Sequence, residues 1–303
     1  VVGIESITGT NVAIQKNLIS GTATGVYVDS ADASQVTITK NSIYSNAGLG
    51  IDLANGATGV TVNDGAIVTT FGNDGIDQPV ITSAILDGTT LTVTGYIGVA
   101  AGDTDFANAT IELFKAATDP SGHGEGRYYL GSITGSVSNG NFTGSITLPV
   151  GVTLSSGDAL TSTATIAAYG TSEFGANATL RSISGTVFED KDGNLLVGGT
   201  IGDANNPGVT GVTVKLYKDG GDGLASGTDD ILVGTTTTAS GGSYSFTIDT
   251  GTYWTVVDST TVTSSISLNG GFTQADVWAE QTYGVAGAVN GGTTLVTNGA
   301  LYG

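Results

Sequence analysis

Two stretches of this chain, VAIQKNLISGTATGVYV from Val12 and VTITKNSIYSNAGLGIDL from Val36, are copies of one pattern set 24 residues apart. A third start, VTVND, follows at Val60 and breaks off. Val12, Val36 and Val60, like Ile14, Ile38 and Val62, alternate with polar residues, as the inward face of a β-strand requires. Lys16-Asn17 and Lys40-Asn41 recur at the next turn, with Ile19 and Ile43 just beyond. A second strand follows as Gly25-Val26-Tyr27-Val28 and Gly50-Ile51-Asp52-Leu53, one residue out of step. So short a repeat cannot bury its apolar face alone, so it must stack on its neighbours. Residues 1–72 are therefore expected to form a short solenoid.

The pattern resembles the right-handed parallel β-helix, in which Asn side chains stacked at one turn hydrogen-bond along the column. Asn17 and Asn41 match that ladder position. So few coils present an open strand edge, which invites strand addition by another chain. β-helices often carry polysaccharide-cleaving sites, and such lyases need clustered carboxylates for Ca²⁺ and a basic residue to take a proton. The coils offer Asp29, Asp32, Asp52, Lys16 and Lys40 but neither Arg nor His, and no catalytic residue is assigned. The sole histidine, His123, lies in the loop SGHGEG beside Glu125 and Arg127, and it reads as structural.

Composition sets the class. Short β-branched runs separated by Gly, Asn and Asp turns, with no helical period, predict an all-β protein. The net charge is −19, and no Lys or Arg follows Lys218. Nucleic acid and anionic membranes need cations to neutralise phosphate, so neither is an expected partner. Membrane insertion is not expected either, since no apolar run is long enough to span a bilayer. Cys and Met are absent, which suits a long-lived secreted or cell-surface protein exposed to oxidants. The opening VVGIES starts in mid-pattern and reads as the edge of a processed piece of something larger.

Beyond Gly72 the repeat gives way to alternating strands with turn signals between them, which predicts a β-sandwich over residues 73–181. Gln78-Pro79-Val80, Ile111-Glu112-Leu113-Phe114, GHGEGRYYLGS from Gly122 and TSTATIAAYGTSEF from Thr161 resemble an Ig-like domain that follows β-helix repeats in secreted bacterial surface proteins. Residues 182–262 resemble the SdrD B-like domains of bacterial adhesins, related to the Cna-B fold. The matching elements are Gly185-Thr186-Val187-Phe188, Gly211-Val212-Thr213-Val214, GGSYSFT from Gly241 and Gly251-Thr252-Tyr253. That resemblance implies Ca²⁺ at two acidic loops. One carries Glu189, Asp190, Asp192 and Asn194; the other carries Asp219, Asp222, Asp229 and Asp230. Both supply the oxygens that Ca²⁺ prefers, though neither keeps the regular D-x-D-x-D-G spacing. The alternative is two solvated acidic hairpin loops.

Residues 263–303 form a Gly-rich tail in which Phe272, Val277, Trp278, Tyr283, Leu295 and Val296 are too apolar for a free linker. The tail is expected either to pack on the preceding module or to add a strand to a neighbouring subunit. Asn108, Asn141 and Asn177 each begin an Asn-x-Thr triplet, an acceptor for glycosylation in a secreted protein. These features together point to a non-enzymatic extracellular subunit that assembles head-to-tail with itself into a filament or sheath, with a surface glycan as a further partner. The alternative is the stalk or C-terminal part of a large adhesin. A carbohydrate-active enzyme is a third class, disfavoured by the missing catalytic cluster.

Overall fold

The computed structural model of the protein describes residues 2–6, 9–29, 33–54, 59–189, 204, 207–223, 225, 229–263, 281–282 and 301–302. The molecule is all-β, with several sheets, short 3-10 turns and no α-helix among the described residues. It divides into two compact units, Val1–Arg181 with Thr247–Thr250, and Ser182–Phe246 with Gly251–Gly303.

The first unit opens with the coils. Their strands are β1 (Val2–Ser6), β2 (Gly9–Thr10), β3 (Ala13–Gln15), β4 (Leu18–Ser20), β5 (Thr24–Val28), β6 (Ala33–Ser34), β7 (Thr37–Thr39), β8 (Ser42–Tyr44) and β9 (Ile51–Leu53). All pairings among them are parallel: β1–β5–β9, β2–β6, β3–β7 and β4–β8. The 24-residue period is the register itself, since Ile14 lies beside Ile38 and Ile19 beside Ile43. The one-residue slip is equally real, since Val26 lies beside Ile51. Ile14, Ile19, Val26, Val28, Ile38, Ile43, Ile51 and Leu53 fill the interior of the stack.

Close stacking depends on glycine where the coils touch. A Cβ added at Gly3 would strike the Gly25 carbonyl oxygen, and one at Gly25 would strike that of Gly50. At Gly50 the added atom would meet the Phe174 ring at 2.9 Å, so the column ends against the following module.

That module contributes β10 (Pro79–Asp87), β11 (Thr90–Ile97), β12 (Thr110–Ala116), β13 (Gly126–Thr134), β14 (Asn141–Thr147), β15 (Ala159–Ile166), β16 (Gly170–Thr171) and β17 (Ala178–Thr179). One antiparallel sheet runs β14–β11–β10 and the other β13–β12–β15–β16, with β17 on β15. Leu91, Val93, Ile97, Ile111, Leu113, Phe142 and Leu160 are buried between them. Their core is continuous with that of the coils, and residues 1–72 and 73–181 thus share one compact unit.

The second unit contains most of β18 (Arg181–Thr186), then β19 (Thr213–Lys218), β20 (Ile231–Thr237), most of β21 (Ser243–Ile248) and β22 (Tyr253–Val257). The antiparallel sheet β20–β19–β22 presents Val214 and Leu216 inward. Phe246 is buried as well and meets Tyr244 edge-on at 6.1 Å.

Candidate functional site

The last coil ends in backbone N–H groups that, in a longer stack, a further strand would accept. Along β7 the amides of Val36, Ile38 and Lys40 share one edge, because alternate residues of a strand point the same way. Each has a side-chain acceptor from the following segment. Val36 N–H donates to Asn73 Oδ1 (2.8 Å), Ile38 N–H to Thr171 Oγ1 (2.8 Å) and Lys40 N–H to Glu112 Oε2 (2.8 Å). Asn73 Nδ2 returns bonds to the carbonyls of Val36 and Thr171, both at 2.8 Å.

Two more carboxylates complete this cap. Glu125 accepts from Asn46 N–H (3.1 and 3.3 Å) and Asn46 Nδ2 (2.6 Å). Glu173 accepts from Leu53 N–H (3.0 Å), Thr61 N–H (2.9 Å), Thr61 Oγ1 (2.9 Å) and Gln78 Nε2 (3.1 Å). Glu112, Glu125 and Glu173 are all buried. Burial raises the pKa of each, that of Glu173 to about 7, while the donated hydrogen bonds pull the other way. The expected open edge is therefore closed at this end by side chains, which spare five backbone amides (Val36, Ile38, Lys40, Asn46 and Leu53) the cost of burial unpaired.

Within the stack, Asn41 Oδ1 accepts from Asn17 N–H (2.9 Å) and Asn17 Nδ2 (3.1 Å), and Asn41 Nδ2 donates to the Ile14 carbonyl (2.8 Å). A second ladder, absent from the sequence reading, joins Thr22 to Asn46: Thr22 N–H and Oγ1 donate to Asn46 Oδ1 at 3.0 and 2.7 Å. Its two rungs carry different residues, so repetition alone could not reveal it.

The outer edge of the stack differs. Among the described residues no strand pairs with the free edges of β1, β3 and β4. Val2 and Ile4 are only partly covered, whereas Val26, the partner of Ile4 one coil in, and Val28 on the same strand are fully buried.

The other sequence-assigned groups fall in several places. His123 Nδ1 faces the Ser121 carbonyl at 3.2 Å, while Ser121 Oγ donates to Asp119 and accepts from His123 N–H at 3.1 Å. The imidazole thus meets a carbonyl and not the hydroxyl, an arrangement that ties a turn. In the second unit, carboxylate oxygens of Asp219, Asp222 and Asp229 lie within 4.8 Å of one another. Asp219 Oδ1 also accepts from Gly221 N–H (3.0 Å) and Gly223 N–H (3.1 Å), which shapes the loop. Three oxygens at this spacing suit a hard cation that takes its remaining ligands from water and carbonyls. Asp230 is half-buried outside this triad. Glu189 N–H donates to the Pro207 carbonyl at 3.0 Å. Asp190, Asp192 and Asn194 lie outside the described residues, as do Asp32, Phe272, Val277, Trp278, Tyr283, Leu295 and Val296.

Comparison with known families agrees with the coil geometry. The family model for a right-handed beta helix region matches residues 2–79. The match takes in the segment after β9, which folds back on the stack: Gly72 N–H donates to the Ala54 carbonyl at 3.1 Å, and Asn73 caps β7. The amino-terminal part of this all-β chain is a right-handed β-helix region, closed at its inner end by the sheets that follow it.

Proposed function

We propose that the chain is a non-enzymatic structural subunit that works outside the cell and assembles head-to-tail with copies of itself. The observation that carries this reading is the contrast between the two ends of the coil stack. One end is capped by Asn73, Glu112, Glu125, Thr171 and Glu173, and the other offers β1, β3 and β4 with free edges among the described residues. A free parallel edge is a template for a strand from another molecule. An uncharged, apolar segment such as residues 284–303 has the composition to supply one. Because donor and acceptor are different surfaces, the contact repeats without closing and yields a filament. Ca²⁺ at Asp219, Asp222 and Asp229 belongs to the same reading, stiffening the second unit by relieving repulsion among its carboxylates.

Negative-stain electron microscopy of the purified chain over a concentration series tests the reading. Filaments with a regular subunit repeat are expected. Monomers alone at every concentration would overturn it.

A further inference from the structure

The few cations of this acidic chain are not evenly spread. Lys16 and Lys40 occupy one corner of successive coils, because Gln15 pairs with Thr39 and Leu18 with Ser42 on either side of them. Neighbouring strands lie about 4.8 Å apart, so these lysines stand one above the other. Both are exposed, and both turn the corner at positive φ, 57° and 54°.

Above Lys40 itself stands the Glu112 carboxylate, which accepts from the Lys40 amide; Arg127 lies to one side, on the next level. Its carbonyl accepts from Ser42 Oγ at 2.6 Å, which places it beyond β8. It is also the extra residue of a β-bulge: Tyr128 pairs with Lys115 and Gly126 with Ala116, leaving Arg127 opposite neither. A bulge re-aims the side chain it carries. Here the guanidinium comes to 5.0 Å from the Tyr44 ring and 5.1 Å from the Tyr128 ring. Cation–π attraction fixes the group and engages none of its N–H donors. Lys115 has Asp158 at 2.8 Å and Lys215 has Asp258 at 3.0 Å. The Arg127 guanidinium has no such carboxylate among the described residues.

Three exposed cations on one flank, one held rigid with its donors free, are suited to a group of carboxylates. This chain carries one. No Lys or Arg follows Lys218, and Asp219, Asp222 and Asp229 gather their oxygens within 4.8 Å of one another. We propose that the ridge Lys16–Lys40–Arg127 is the surface on which the acidic loop of a second copy docks, an inference that rests on the self-assembly reading above. Basic ridge and acidic loop are different surfaces of one chain, so this contact too propagates without closing.

A charge exchange tests the proposal on the full chain, with sedimentation velocity as the readout and circular dichroism as the check of folding. The ridge variant K40E/R127E and the loop variant D222K/D229K each place like charges in apposition. Each alone is expected to need about tenfold more protein to assemble, as close interfacial charge pairs imply. An equimolar mixture is expected to recover, because each variant's altered surface then meets the other's. A wild type that assembles, with variants that assemble equally well or a mixture that fails to recover, would overturn the ridge assignment alone. A wild type that stays monomeric would overturn both readings. A double variant that loses its folded spectrum is replaced by a single reversal on the same surface, R127E for the ridge or D222K for the loop, judged by the same outcomes.

Discussion

At the inner end of the coil stack, Asn73, Glu112, Glu125, Thr171 and Glu173 take the place of a next coil; at the outer end, the edges of β1, β3 and β4 have no counterpart among the described residues. The strands are the same kind of object at both ends, built from the same repeat. What differs is the fate of the amides. Where apolar sheets cover the coil, each N–H needs an acceptor, and carboxylates and amides reach in to supply one. Where water or another molecule can approach, the same groups are left to that partner. A solenoid is thus terminated by chemistry outside its own repeat.

The largest test of this contrast is core truncation. Ile51→Ala, beneath the cap, is expected to cost about 2–5 kcal/mol in urea unfolding. Ile4→Ala on the outer coil, already partly exposed, should cost less than about 1 kcal/mol. Equal costs would erase the distinction between the ends.

Removing a cap acceptor comes next. Thr171→Val keeps the shape but leaves the Ile38 amide buried without its partner, for an expected loss of about 1–3 kcal/mol. Asn17→Ala on the outer rung should stay within about 0.5 kcal/mol, because Asn41 Oδ1 still accepts from the residue 17 amide. A ladder in which both changes cost the same would show the outer rung to be covered in solution.

The pH response sharpens the comparison further. Burial holds the pKa of Glu173 near 7, above the usual 4.5, so between those values the folded chain keeps a proton that the unfolded chain has lost. Stability from this group is therefore fully present below about pH 4.5 and is lost as pH rises through about 7. Glu112 and Glu125 shift in the same direction. Thermal melts should show a higher Tm at pH 5 than at pH 8, and Glu173→Gln should flatten the difference. A Tm that rises across that interval would mean that the donated hydrogen bonds outweigh burial.

The smallest effect is expected from the acidic loop. Ca²⁺ should raise the Tm of the second unit by a few degrees, as about 1 kcal/mol does in a domain of this size. Asp222→Asn combined with Asp229→Asn should abolish the rise. An equal rise in that variant would place any metal elsewhere.

The coils were legible because parallel stacking makes sequence period and spatial register one quantity, so that Val36, Ile38 and Ile43 repeat Val12, Ile14 and Ile19. The ladder at Asn17 and Asn41 was legible for the same reason. The cap was not. Glu112 and Glu125 are 72 and 79 residues from the amides they accept, and Glu173 is 120 residues from Leu53. Nothing local marks them, since a cap is used once and leaves no period. Glu112 alone carried a hint, as an acid set within the apolar run Ile111, Leu113 and Phe114, whose residues are buried whichever way they point. The placement of Arg127 was hidden similarly, because it depends on a bulge that pairing between β12 and β13 creates.

The glycine column has a consequence for how such a molecule can change in size. Each coil meets the next through the same close approach, Gly3 on Gly25 and Gly25 on Gly50, and the capping side chains touch the last coil and the segment after it. Duplicating one 24-residue unit ahead of Val36 would lengthen the stack by one rung and present the cap with an unchanged final coil. Length is then a free variable of this architecture, open to recombination between near-identical repeats, while the terminus is fixed by five side chains that recombination within the repeat never disturbs.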